Sequence, residues 1–354
     1  MSRFFHSRYA SLKQYTPGEQ PRDKAYIKLN TNESPYPPSD RVVQAVEQAV
    51  KNAHLYCDPS CTLLRREAAR VYQVDMDEVL CFNGSDEVLS FAFSAFGEDG
   101  VAYPALSYGF YPIFARMNLV EGLPIPLVGQ MRIVPEDYHQ MGKAIVIANP
   151  NAPTGQFLPP EAVEGIVRSN PNHVVIIDEA YIDFGGQSAL PLIKKYENLL
   201  VTRTFSKSHS LAGARVGFGF GCKELMRDID TLRCSVNPYN VSSMGQAAGL
   251  AALEENGYYM ACCKAVAQTR EMVANQLLNL GFSVTPSLAN FLFASHPDIP
   301  GEKMYQRLRD KGILVRWFNQ EGIRDFVRIS IGSPRQMEDF MTAVQTILQE
   351  ERHA

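Results

Sequence analysis

Lys207 stands in the run Thr204-Phe205-Ser206-Lys207-Ser208-His209-Ser210-Leu211-Ala212-Gly213-Ala214-Arg215-Val216-Gly217, among small polar residues just after the apolar stretch Leu199-Leu200-Val201. A lysine held at a strand end and partly deprotonated is an amine nucleophile that condenses with an aldehyde, and an arginine downstream suits the phosphate of a phosphorylated aldehyde cofactor. A lone loop lysine is more often simply solvated, so the chemistry depends on what else the chain supplies. Asn83-Gly84-Ser85-Asp86-Glu87 leads into an apolar run, so a glycine turn presents backbone N–H groups at a helix N-terminus. Such a turn binds phosphate, or is a capped helix with an acidic first turn. Asp178 ends the apolar run Val174-Val175-Ile176-Ile177, where a carboxylate serves as helix cap, metal ligand or partner of a ring nitrogen. No nearby histidine completes a metal set, which favours the ring nitrogen.

Other candidates have a plainer alternative beside them. Tyr181 can donate to a ring's phenolic oxygen or pack in the core, and Tyr108 can stack on a flat ring or do the same. Asn151 lies in the tight turn Asn149-Pro150-Asn151-Ala152-Pro153-Thr154-Gly155, where an amide can point at a ring oxygen. Arg316 and Arg328 each follow apolar, strand-like residues; two such arginines imply anion recognition, with surface-exposed strand positions as the alternative.

The elements that must position these residues are legible as periodicity. Short apolar runs alternate with helix-like segments between about residues 79 and 220: Val79-Leu80-Cys81-Phe82, Val101-Ala102-Tyr103, Ile125-Pro126-Leu127-Val128, Ala144-Ile145-Val146-Ile147-Ala148, Val174-Val175-Ile176-Ile177, Leu199-Leu200-Val201 and Val216-Gly217-Phe218-Gly219-Phe220. Being apolar on both faces, they predict an α/β fold, a mostly parallel seven-stranded sheet between two helix layers, in which ligands gather at the carboxyl ends of the strands. The alternating Gly217, Gly219 and Gly221 read as sheet packing, not as a dinucleotide loop. A helical stretch from 241 to 280, interrupted near Asn256-Gly257, bridges to a small α+β unit with strands around 290–293, 313–315 and 326–329, a helix over 303–311 and a last helix from Pro334. The expected organisation is an extended arm over 1–40, a large cofactor-binding domain over 41–240, and the bridging helix with the small domain over 241–354.

The 354 residues carry 45% hydrophobic and 20% charged side chains with a formal net charge of -4. That balance lacks the basic excess of a nucleic-acid binder and favours small-molecule chemistry. Seven cysteines without paired metal-ligand spacing read as reduced thiols and point to the cytoplasm. No signal peptide or membrane span is expected, and the scattered histidines suggest no metal site.

In combination these residues resemble the fold-type I pyridoxal-phosphate enzymes, and among them the histidinol-phosphate aminotransferases. The resemblance runs through Tyr15-Thr16-Pro17-Gly18, Leu29-Asn30-Thr31-Asn32-Glu33-Ser34-Pro35-Tyr36, Tyr56-Cys57-Asp58, Gly84-Ser85-Asp86-Glu87, the 151–155 turn, Asp178-Glu179-Ala180-Tyr181, the 204–217 run and Val327-Arg328-Ile329-Ser330-Ile331-Gly332. It implies pyridoxal 5'-phosphate as cofactor, with Lys207 as the imine-forming lysine that also moves a proton, Asp178 as the ring-nitrogen partner and Tyr181 as the donor to the phenolic oxygen. Gly84, Ser85 and Asp86 with Thr204, Ser206 and Arg215 would form the phosphate cup, Tyr108 would stack on the ring, and Asn151 would supply an amide. Tyr56 would reach the cofactor phosphate of the other subunit, which implies a homodimer with shared sites. On the substrate side the resemblance implies Arg328 for a carboxylate, Arg316 and Tyr15 for a phosphate, and Asn32 beside them. The implied reaction exchanges an amino group between L-histidinol phosphate and 2-oxoglutarate, giving imidazole-acetol phosphate and glutamate, in histidine biosynthesis. An aromatic-amino-acid aminotransferase, a threonine-phosphate decarboxylase and, with less support, a non-catalytic cofactor-binding regulatory module are the alternatives. Three positions depart from the family pattern: Ala152 stands for the usual Asn before Pro-Thr-Gly, Pro37 for a glycine, and His209 for an aromatic residue.

Overall fold

Apolar side chains on successive residues of a strand can be buried only if both faces of the sheet are covered. The computed structural model describes residues 2–10, 12 and 14–352; Met1 and His353 lie outside the described residues. A two-residue strand β1 (Ile27–Lys28) and helices α1 (Asp40–Val50) and α2 (Thr62–Tyr72) precede the main alternation. It runs β2 (Val79–Phe82), α3 (Ser85–Phe96), β3 (Val101–Pro104), α4 (Tyr111–Met117), β4 (Gly122–Ile125), β5 (Ala144–Ala148), α5 (Pro160–Ser169), β6 (Val175–Asp178), β7 (Leu199–Thr204) and β8 (Gly217–Phe220). These strands form one seven-stranded sheet in the order β2-β8-β7-β6-β5-β3-β4, with β8 antiparallel to both neighbours and the other pairs parallel. Alternate residues divide between the faces: Ile145, Ile147, Val175, Ile177 and Val201 pack with Val42 of α1 and Leu64 of α2, while Val146, Ile176 and Leu200 pack with Val88 and Phe93 of α3. The fold is therefore the expected α/β sheet between helix layers.

The strand expected at 125–128 lies earlier, at β4. It is an edge strand, where Pro124 can sit because no ladder donor is required of it. Helices α1 and α2 fall in a stretch the apolar runs did not mark.

Beyond the sheet come α6 (Lys223–Val236), α7 (Ser243–Glu254) and α8 (Asn256–Asn279), with the helix interruption at Glu255. Then follow β9 (Ser283–Val284), β10 (Phe291–Ser295), α9 (Gly301–Asp310), β11 (Ile313–Leu314), β12 (Arg316–Trp317), β13 (Phe326–Ser330) and α10 (Pro334–Arg352). The second sheet is antiparallel in the order β12-β13-β10-β9. A core containing Val266, Phe291, Ile329 and Phe340 joins it to α8 and α10. The N-terminal arm is tied to this smaller unit, because β1 pairs in parallel with β11 through Ile27↔Ile313.

Candidate active site

Register brings the polar residues together. Ala148, Asp178, Thr202 and Gly219 are neighbours across β5, β6, β7 and β8, so the carboxyl ends of the parallel strands open at one level. Asp178 is buried there, and its two oxygens accept hydrogen bonds from Thr202 Oγ1 at 3.0 Å and Tyr111 Oη at 3.2 Å. Burial pushes the Asp178 carboxyl up to about 6 and the nearby Asp86 charge adds to the rise, while the Thr202 and Tyr111 donors pull it back.

The opposite corner is an anion cradle. Gly84 precedes α3 at φ +81° with no side chain capping the helix, leaving the first-turn N–H groups of Ser85 and Asp86 to meet a ligand. Arg215 lies across this turn, where a Cβ added at Gly84 would come within 2.5 Å of its Nη2. Its Nη1 donates to Ser206 Oγ at 3.1 Å, and Thr204 Oγ1 lies 3.0 Å from the same hydroxyl. Gly217 has a packing role, as the sequence predicts: a Cβ there would fall 2.5 Å from the carbonyl carbon of Gly84 and 2.7 Å from the Ser85 nitrogen.

Lys207 lies between these corners, half-buried, with Nζ donating to the Thr31 carbonyl at 3.0 Å. Desolvation lowers its pKa to about 8; Arg328 and Arg215 add to the fall, and Glu33 and Asp86 oppose it. An appreciable neutral fraction at physiological pH is what an amine nucleophile requires. Tyr181 accepts from Asn32 Nδ2 at 3.0 Å and meets Phe291 edge-on, and Tyr108 donates to Asp86 at 2.8 Å. Together Ser85, Asp86, Tyr108, Asp178, Lys207 and Arg215 face a cavity of about 170 Å³.

A second cavity of about 390 Å³ adjoins the first, with Tyr108, Tyr181 and Lys207 shared between them. Arg316 and Arg328 stand on its wall as direct cross-strand partners on β12 and β13, an arrangement of like charges that is unfavourable unless an anion comes between or beside them. Phe318 lies under both guanidinium groups, at 5.3 and 5.6 Å, and Phe291 under Arg328 at 5.3 Å. Desolvation lowers the Arg328 pKa and Arg316 adds to the fall, against the opposing pull of Tyr181 and Tyr15. Arg328 Nη2 donates to the Asn30 carbonyl at 3.2 Å, whereas its Nε is buried with no hydrogen-bond partner. Tyr15 and Asn32 also line this cavity, Tyr15 stacking on Phe110 at 4.3 Å.

Two expected residues stand apart. The Asn151 amide lines neither cavity, because Nδ2 donates to Leu106 and Thr154 and Oδ1 accepts from Ser107; the buried Ala152 lines both cavities instead. Tyr56 is 83% exposed and stacks on Tyr239 outside the cavities. Sequence reasoning missed Thr202, Tyr111 and the Thr31 carbonyl. The polar alternation Thr202, Thr204 within a buried strand was the available signal for the first.

The donor set has the chemistry of a particular ligand: a low-pKa amine, a buried carboxylate and an anion cradle match an aldehyde, a basic ring nitrogen and a phosphate on one small molecule. The family described as Aminotransferase class I and II matches residues 24–344. A histidinol-phosphate aminotransferase of Marinomonas sp. is 43% identical over 98% of this chain and 100% of its own length. The chain belongs to the class I and II aminotransferases, in the histidinol-phosphate aminotransferase family. Another such enzyme, from Clostridium botulinum (strain Hall), is 42% identical over 98% of this aminotransferase and 99% of its own chain. Among solved structures, the histidinol-phosphate aminotransferase from Clostridium acetobutylicum superposes with a TM-score of 0.84 at 25% identity, covering 93% of this chain and 100% of that one. The Sinorhizobium meliloti histidinol-phosphate aminotransferase, solved in complex with pyridoxal-5'-phosphate, shares the fold with a TM-score of 0.85 at 24% identity, over 92% of each chain. The aminotransferase fold described above is thus that of the fold-type I pyridoxal-phosphate transferases.

Proposed function

We propose that this aminotransferase exchanges an amino group between L-histidinol phosphate and 2-oxoglutarate with pyridoxal 5'-phosphate as cofactor. The observation that carries the substrate is the cross-strand pair Arg316 and Arg328 beside Lys207, a cationic wall on which Arg316 suits the phosphate of one half-reaction and Arg328 the carboxylate of the other. Bound pyridoxal phosphate would supply an aldehyde and an electron-withdrawing ring. The chain's residues do the rest. Lys207 Nζ carries the proton to and from the substrate carbon. Asp178, kept ionised by Thr202 and Tyr111, holds a proton on the ring nitrogen. Tyr181 donates to the phenolic oxygen and Tyr108 covers the ring. Gly84, Ser85, Asp86, Thr204, Ser206 and Arg215 hold the phosphate, and Tyr15 and Asn32 bound the substrate. With Ala152 in place of the usual amide and Asn151 engaged elsewhere, the Asn32 amide holds the Tyr181 hydroxyl that would donate to the phenolic oxygen.

The same reading makes the protein a cytoplasmic homodimer, with residues 1–40 as arm, 41–240 as large domain and 241–354 as bridge and small domain. Exposed Leu55, Tyr56, Leu63 and Tyr239 support a partner surface, from which Tyr56 would reach a partner's cofactor phosphate. All seven cysteines are free, as in a reducing compartment. No described helix is long and apolar enough to cross a membrane.

The test is an acceptor panel with glutamate as donor: imidazole-acetol phosphate, phenylpyruvate and unphosphorylated imidazole ketones, with carbon dioxide release from L-threonine phosphate measured beside it. The phosphorylated acceptor should be preferred, and Arg316→Ala should lower its kcat/KM by about thirtyfold or more, the effect of one charge-assisted contact. Equal turnover of phenylpyruvate, or unchanged phosphate preference in the variant, overturns the assignment.

A further inference from the structure

The N-terminal arm crosses the substrate cavity as a strap with a fixing at each end. At one end Tyr15 stacks on Phe110 next to Gly109, where an added Cβ would already touch the Tyr15 ring at 3.4 Å. At the other end Glu19 is gripped from α9: Tyr305 Oη donates to Oε1 at 2.7 Å and Arg309 Nε to Oε2 at 3.1 Å. The Glu19 carbonyl accepts from Asn30 Nδ2 at 2.9 Å. Between these fixings the strap lies flat, since a Cβ at Gly18 would come within 2.5 Å of Thr31 Cγ2. Its two exposed carbonyls take the Arg316 guanidinium, Nη2 donating to Thr16 at 2.8 Å and Nη1 to Pro17 at 3.1 Å. Arg316 therefore has no carboxylate fixing its direction among the described residues. Its orientation at the cavity wall is set by a backbone segment whose own position is set elsewhere.

We propose that Glu19 is a positioning residue for the anionic end of the substrate: by anchoring the strap of residues 15–18 to α9, it fixes the carbonyls that orient Arg316. The strap rests on geometry alone; its link to substrate choice rests on the reading above, in which Arg316 meets the phosphorylated end. Glu19 lies outside both cavities and touches no reacting group, so it acts on affinity for one class of substrate and not on the proton transfers at Lys207. Glu19 also connects to a natural reporter, because its partner Tyr305 stacks at 6.3 Å on Trp317, the single tryptophan of the chain.

The experiment compares the full-length holoenzyme with Glu19→Ala and Glu19→Gln. In Glu19→Ala the KM for the phosphorylated acceptor should rise about tenfold, less than on removing Arg316 itself, because the guanidinium remains and only its orientation is loosened. The KM for glutamate and kcat should stay within about twofold. Glu19→Gln keeps an acceptor for Tyr305 but loses the Arg309 charge pair, and should fall between. In parallel, acrylamide quenching of Trp317 should increase in Glu19→Ala, and trypsin should cut faster after the exposed Arg22 and Lys24. Wild-type quenching and cleavage rates in Glu19→Ala overturn the strap. A loosened strap with an unchanged KM overturns the positioning role, as does an equal loss for both substrates in kcat and KM. If the wild type turns over no phosphorylated acceptor, the functional reading fails while quenching and cleavage still decide the strap.

Discussion

Thr202→Val tests whether hydrogen bonding, against burial, keeps Asp178 charged. Thr202 is fully buried on β7 and valine nearly matches its shape, so the substitution removes one donor from Oδ1 and leaves Tyr111 on Oδ2. A hydrogen bond to a charged group is worth about 1.5–3 kcal/mol, which at 1.36 kcal/mol per pKa unit is about one to two units. Asp178 starts at about 6, because burial raises it and these donors restrain it. The variant carboxyl should therefore titrate at about 7 to 8. At pH 7 the ionised fraction then falls from roughly nine-tenths to between roughly a half and a tenth. Only the ionised form pairs with a protonated ring nitrogen, so the variant apoprotein should bind pyridoxal phosphate about two- to tenfold more weakly than wild type at pH 7. The sign is definite: a raised carboxyl pKa is overcome by raising the pH, so the ratio of the two affinities should return toward one by about pH 9. Titrating cofactor into both apoproteins from about pH 6 to 9 measures this, with Asp178→Asn as a reference whose weakening does not recover at high pH. A variant-to-wild-type ratio that stays constant across the range would show that Thr202 does not control the charge, and would refute the reasoning.

Two further substitutions probe the frame around the site. Gly217→Ala pushes a methyl against the backbone of Gly84 and Ser85, which cannot swing aside as a side chain would; the expected cost is about 1–3 kcal/mol in stability and a selective loss of pyridoxal phosphate affinity, with unphosphorylated pyridoxal binding as in wild type. Retained affinity for both ligands would remove Gly217 from the phosphate turn's support. Arg203→Met leaves the buried Glu179 and the partly buried Asp183 without the guanidinium that pairs with both, and should cost about 3–5 kcal/mol at neutral pH by denaturant unfolding. Against burial, which would raise it, Arg203 helps hold the Asp183 carboxyl below its ordinary range, so that stabilisation is present above the unfolded carboxyl pKa and lost as pH falls through the folded one; the difference between variant and wild type should hold down to about pH 4 and shrink only below it.

The site residues legible in the sequence are those whose evidence is local. Lys207, Asp178 and the Gly84 turn are polar breaks directly after apolar runs, and the ligand-binding end of a parallel sheet is where such breaks meet. What local pattern does not contain is register and distant partners. Thr202 faces Asp178 only because β6 and β7 pair residue 178 with residue 202. The Asn151 amide was a fair candidate by type, yet Leu106 and Ser107, far along the chain, take up its hydrogen-bonding capacity. Glu19 finds Tyr305 and Arg309 across nearly the whole sequence. The arginine pair shows most sharply why spacing alone was insufficient. Positions 316 and 328 face each other because the reversal between β12 and β13 is centred near Gly322, whose φ of +82° a side chain would strain. A slip of one residue in β13 would carry Arg328 to the other face of the sheet, burying the guanidinium against Leu292 and Ala294 of β10 in the core shared with α8 and α10. The core therefore enforces the register, and the register places both cations on the wall of the larger cavity. A two-residue strand is too short to announce this in sequence, but once the flanking core forms it has no other stable place to pair.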